Sequence, residues 1–103
     1  MRTVTDAEFD THYHPRRSPG ADFNRRGGSF WADVVARIVA HGPQAVRIPE
    51  DIPAGLTLSP DRARHRLSLE GRVMGVPLET TIAYTDLGVE VIARAARSTE
   101  DQR

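Results

Sequence analysis

The chain has no cysteine and no lysine. The first absence excludes disulfides, thiolate metal centres and cysteine nucleophiles. The second leaves arginine to supply all 14 basic residues, which 14 acidic residues balance to a formal net charge of zero. No global field therefore draws the molecule toward nucleic acid or a membrane. Arginine in place of lysine is what a GC-rich genome produces, and it is no argument for bidentate anion contacts. Aromatics are scarce too: one Trp, two Tyr and three Phe. No apolar run approaches the ~20 residues that span a bilayer, and the N-terminal stretch lacks the apolar centre of a secretory signal. No internal repeat or low-complexity tract is present. The expectation is a cytoplasmic protein with no membrane and no cofactor. A chain of 103 residues has room for one modest core.

What is present is alternation. From Arg64 to Arg94, apolar and polar residues alternate through three runs. Leu67, Leu69 and Val73 share one side of the first. Val76, Leu78, Thr80, Ile82 and Tyr84 share one side of the second, and Leu87, Val89, Val91 and Ala93 of the third. Period two over this length predicts a three-stranded antiparallel meander. A two-residue turn at Met74-Gly75 would oppose Glu70 to Glu79 and put Pro77 inside a central strand. A four-residue loop, Met74 to Pro77, instead sets Arg72 opposite Glu79 and is preferred. Thr85-Asp86 or Asp86-Leu87-Gly88 makes the second turn.

Ser29 to His41 reads as a helix, with Ser29 as N-cap and Gly42-Pro43 as its stop. Trp31, Val34, Val35, Ile38 and Val39 form its apolar stripe, and Asp33 and Arg37 can pair on the wet side. Gln44 to Ile48 reads as a short strand, held to the sheet's edge by Pro49 and Pro53. Leu56 and Leu58 alternate once more. Thr5 to Glu8 fits a capping box opening a short helix, which docks through Phe9 and Tyr13 before Pro15. The fold class is α+β: one main N-terminal helix packed on an antiparallel meander of three strands, plus one or two short strands. The expected division is an Arg/Pro/Gly-rich arm over 1–28, a single domain over 29–97, and a frayed tail over 98–103.

The candidate sites are fragments. His12 and His14, with Glu8 one helical turn before His12, are suitable metal ligands but not at a diagnostic spacing, so they read as a solvated terminus. Arg16, Arg17, Arg25 and Arg26, with Phe23 and two glycines, form a basic arm that contains one acid, Asp22. This chemistry suits an acidic protein surface, or phosphate contact with base stacking. Arg64, Arg66 and Arg72 would extend it across the outer face of the meander. His65, Tyr84, Glu70, Glu79 and Glu90 could in one register support general acid–base cleavage of RNA. Spaced carboxylates on a polar face are ordinarily just its solvated side, and no catalytic residue is assigned.

The segment RLSLEGRVMGVPLETTIAYTDL, following the helix over 29–41, resembles the pattern of SspB-type adaptors, which deliver tagged peptides to the ClpXP protease. Gly75, Pro77, Ile82, Tyr84 and Leu87 carry the resemblance, together with the apolar spacing from Ile48 to Leu58. It covers about half of the chain. It implies a helix leading into a small barrel with a glycine–x–proline hairpin. The interval between helix and hairpin is short for that barrel, and no acidic linker with a docking tail follows. No peptide-binding residue is carried over.

These readings converge on a non-catalytic protein-binding module, an adaptor or small inhibitor of a larger complex. Its partner-binding residues are Arg16, Arg17, Phe23, Arg25 and Arg26. The competing expectation is an RNA- or DNA-binding accessory protein using the same arm; a small ribonuclease comes third. An exposed edge strand leaves room for a homodimer.

Overall fold

Two hydroxyl side chains open helices. Thr5, extended at φ −85° and ψ 160°, accepts the Glu8 amide at 3.0 Å and starts α1 (Asp6–His12). Ser59 accepts the Arg62 amide at 3.4 Å, and Pro60 follows it in the first turn of α3 (Pro60–Val73). Both are N-caps, and proline in a first turn has no needed amide to lose. Between them lies α2 (Gly28–His41), within one residue of the expected helix. The computed structural model describes residues 1–13, 28–56, 59–86 and 88–96. Its strands are β1 (Arg2–Thr3), β2 (Gln44–Ile48), β3 (Leu78–Thr85) and β4 (Gly88–Ala95), antiparallel throughout in the order β1-β2-β4-β3.

The class is α+β as expected, but with three helices, and the first strand of the expected meander is a helix. Leu67 and Leu69 are two apart, the spacing of a strand. The side that is buried is Ala63, Leu67 and Gly71, four apart. Two of those three are too small to register as apolar signal, while Val73 is 54% exposed. The Met74 to Pro77 link is accordingly no hairpin. The Gly75 amide donates to the Arg72 carbonyl at 3.1 Å and the Val76 amide to the Gly71 carbonyl at 2.7 Å. That is a Schellman cap, and Gly75 at φ 79° takes its left-handed position. Gly71 has a second role. A Cβ there would stand 2.5 Å from the Val76 carbonyl oxygen and 2.7 Å from Leu78 Cγ, so its bareness lets β3 begin directly against α3.

The second expected hairpin is present: β3 and β4 pair from Leu78 opposite Ala95 to Thr85 opposite Gly88. Glu79 faces Arg94, not Arg72, because Arg72 lies in the last turn of α3. β2 is not an edge strand. It lies between β1 and β4, since Pro49 and Pro53 fall beyond its end and remove nothing from its ladder.

The sheet is covered on both faces. On one, Trp31, Val34, Val35 and Ile38 of α2 and Leu67 of α3 meet Val46, Val91 and Ala93. On the other, Phe9 of α1 meets Val4, Ala45, Ala83 and Ile92, with Tyr13 alongside. The helix-on-sheet expectation for Trp31 and the docking of Phe9 and Tyr13 both hold. Val39 and Tyr84 depart from their expected burial, at 64% and 74% exposed. Val39 lies on the outer side of α2, and Tyr84 lies one residue before the end of β3.

Candidate functional site

The charged residues of the α1 face are tied to one another. Glu90 alternates with Val89 and Val91 along β4, so its side chain lies on the α1 side, where it is 4% exposed. Arg2 of β1 bridges it to α1: Nε and Nη2 donate to Glu90 at 3.1 and 2.9 Å, and Nη2 donates to Glu8 at 2.6 Å. The Arg2 hydrogen bond holds the Glu8 carboxyl below its ordinary value, against a smaller upward push from burial. Arg94, four residues further along β4 and on the same face, is the second knot. It lies 2.9 Å from Asp10, 2.8 Å from Glu79 and 3.4 Å from Asp6. Its guanidinium carbon is 4.3 Å from the centroid of the Phe9 ring, within cation–π range. These ion pairs fasten a seven-residue helix that could not stand alone.

The helix face of the sheet has polar ties of a different kind. Buried Gln44 donates to the Thr3 hydroxyl at 2.8 Å and the Gly42 carbonyl at 3.2 Å, and Arg37 reaches it at 3.4 Å. Arg64 and Arg66, expected on an exposed strand, are buried in α3 at 8% and 6% exposure. Arg64 donates to the Thr80 hydroxyl at 3.0 Å and the Thr80 carbonyl at 2.6 Å, and Arg66 lies 3.8 Å from Glu70. Only Arg72 of that trio is exposed.

Among the described residues, β3 forms the longer of the two sheet edges. Thr85 and Gly88 close a two-residue hairpin, so their pair exchanges backbone hydrogen bonds, as do 83 with 90, 81 with 92 and 79 with 94. The amides and carbonyls of Leu78, Thr80, Ile82 and Tyr84 therefore point away from β4. Arg64 occupies the carbonyl of Thr80. Further along, Ile82 is partly buried and Tyr84 stands open. A strand edge that ends in an exposed tyrosine is suited to main-chain pairing with another polypeptide.

The expected partner-binding residues Arg16, Arg17, Phe23, Arg25 and Arg26 lie outside the described residues. The fragments of a catalytic set are dispersed. Glu70 is buried in α3, Glu79 and Glu90 are held by Arg94 and Arg2, and His65 lies on α3 instead of at the start of a strand. Among the described residues no group of three His, Cys, Asp or Glu is placed to hold a metal, and no helix is long and apolar enough to cross a membrane. In the sequence, the β3 edge is only a generic feature of a sheet. Its signal was Tyr84, an aromatic at an inward-facing position next to a turn, and the alternation placed it with the core. No family model, no curated protein and no solved structure matches the chain.

Proposed function

We propose that the chain is a non-catalytic protein-binding module, of the adaptor or small-inhibitor kind, which receives a strand of its partner at the open half of β3. The observation that carries the reading is the outward direction of the Ile82 and Tyr84 backbone groups beside a side chain 74% exposed. The charge network supports it as well. Glu8, Glu79, Glu90 and Asp10 are engaged by arginines that hold the fold together, an arrangement suited to structure. The arm containing Arg16, Arg17, Phe23, Arg25 and Arg26 supplies a second, electrostatic contact.

The test is capture from the native host with and without nuclease, repeated with Tyr84→Lys and with the four arm arginines changed to alanine. Loss of a nuclease-resistant protein partner in Tyr84→Lys, with folding intact by circular dichroism, is the expected result. Unchanged capture by Tyr84→Lys removes the edge from the reading. The composition of the arm favours one competitor, RNA or DNA binding. That reading requires nuclease-sensitive capture and an affinity that falls steeply with salt.

A further inference from the structure

We infer that the partner strand at this edge is β3 of a second copy of the same chain, giving a two-fold dimer with one continuous eight-stranded sheet. The inference rests on the reading of the β3 edge as a docking strand, and it adds the occupant and the register. Three observations on one strand carry it.

The first is where the edge is already closed. Arg64 donates through Nη2 to the Thr80 carbonyl at 2.6 Å and through Nε to the Thr80 hydroxyl at 3.0 Å. The Thr80 carbonyl is thereby taken, and the outward positions between it and the turn are Ile82 and Tyr84. Only one antiparallel self-pairing employs both and stops short of Thr80. It sets Ile82 opposite the second copy's Tyr84, Tyr84 opposite its Ile82, and Ala83 opposite Ala83 at the two-fold axis. Ile82 and Tyr84 then exchange two backbone hydrogen bonds at each of two symmetric pairs.

The second is what that register brings together. The Tyr84 ring, 74% exposed in the single chain, comes beside the second copy's Ile82 on the same sheet face. The position across the new ladder from Thr80 is Asp86 of the second copy, an exposed residue of the β3–β4 turn. Arg64 is anchored at Thr80, so each Arg64 meets the opposite copy's Asp86, twice over by symmetry. The complementary charges in this register come from α3 and from the turn, not from β3 itself. Shifting the axis by one residue, onto Ile82 or Tyr84, gives up either the Arg64 seal or one of the pairs.

The third is room. Gly71 of α3 lies beside Leu78, and Arg64 reaches Thr80, so α3 runs along the first half of β3. A two-fold axis at Ala83 puts the α3-contacting first half of each β3 on opposite sides of the axis. The side chain at the axis is alanine, small enough for the close approach of a pair without hydrogen bonds.

Sedimentation velocity and amide hydrogen exchange on the full chain, at roughly 10 and 500 μM, test the idea. The expected result is a species of twice the 11.4 kDa chain mass that grows with concentration, with Ile82 and Tyr84 amides becoming protected in parallel. Tyr84→Lys puts a charge on the edge, the usual block to strand pairing, and Asp86→Arg sets like charges against Arg64. Both positions are exposed, and each variant should weaken the dimer at least about tenfold while circular dichroism stays unchanged. A dimer that ignores both variants, or one whose Ile82 and Tyr84 amides exchange freely, overturns the proposal. So does a chain that stays monomeric at both concentrations. In that monomer, freely exchanging Ile82 and Tyr84 amides would leave the edge open to a different protein strand. Protected amides in a monomer would overturn the docking reading together with the self-pairing.

Discussion

The two faces of the sheet hold their helices by different means. The α2 and α3 face is a close-packed apolar layer around Trp31, Leu67 and Val91, each at most 1% exposed. The α1 face has a smaller apolar patch, five buried residues with Phe9 at its centre, and supplements it with two arginine knots from β1 and β4. A helix of 14 residues can bury a full stripe. One of seven presents barely two turns, so ion pairs and a cation–π contact make up the difference. Charge supplements area for the seven-residue α1, whereas the 14-residue α2 is fixed by its apolar stripe.

The comparison can be broken by mutation. The largest effect belongs to the apolar face: Trp31→Ala should cost ~3–5 kcal/mol, read from the denaturant midpoint. A loss below ~1 kcal/mol would show that the stripe does not carry the layer. Arg94→Ala should come next, at about 2–3 kcal/mol, because it strips charged hydrogen bonds from Glu79 and Asp10. Its effect should localise, with amides of α1 losing exchange protection before those of α2. Uniform loss of protection would make the faces one cooperative unit instead of two.

The pH response sharpens the contrast. Arg2 lowers the folded pKa of the Glu8 carboxyl, so the contribution of that pair is complete above the ordinary carboxylate range. It is lost as pH falls through the depressed folded value. Melting temperatures of the wild type and Glu8→Gln should therefore differ at pH 7 and converge as pH falls below the depressed folded value. A constant gap would mean that the pair contributes nothing through its charge. Smallest of all, Val39→Asp on the open side of α2 should change stability by no more than ~0.5 kcal/mol. A larger loss would place part of the apolar layer where the exposure of Val39 says there is none.

Helix α2, the β3–β4 hairpin and the capped start of α1 were legible in the sequence because each had one period and one set of end signals. Helix α3 was not. Its buried line is Ala63, Leu67 and Gly71, interrupted by Arg64, Arg66 and Glu70, which are themselves buried. A pattern that scores only bulky apolar residues sees Leu67, Leu69 and Val73 and finds alternation. The end signals were nevertheless there: Ser59-Pro60-Asp61 opens a helix, and Gly75-x-Pro77 closes one. Read as punctuation, they outweigh three apolar residues at ambiguous spacing. The candidate site was visible only in part. Tyr84 was assigned to the right face, but β3 tapers past the end of its helix cover, and no periodicity reports where a neighbouring helix stops.

The order β1-β2-β4-β3 also bears on how the chain is made. β4 is last in sequence and central in space, so ribosomal synthesis delivers the middle of the sheet after both of its flanks. Until residues 88–95 emerge, β2 has only the two-residue β1 beside it, β3 has no paired neighbour, and the Trp31 stripe lacks Val91 and Ala93 to close against. The domain cannot assemble progressively from its N-terminus. It has to wait, with apolar surface and strand edges open, for the final strand to arrive and zip both sides at once.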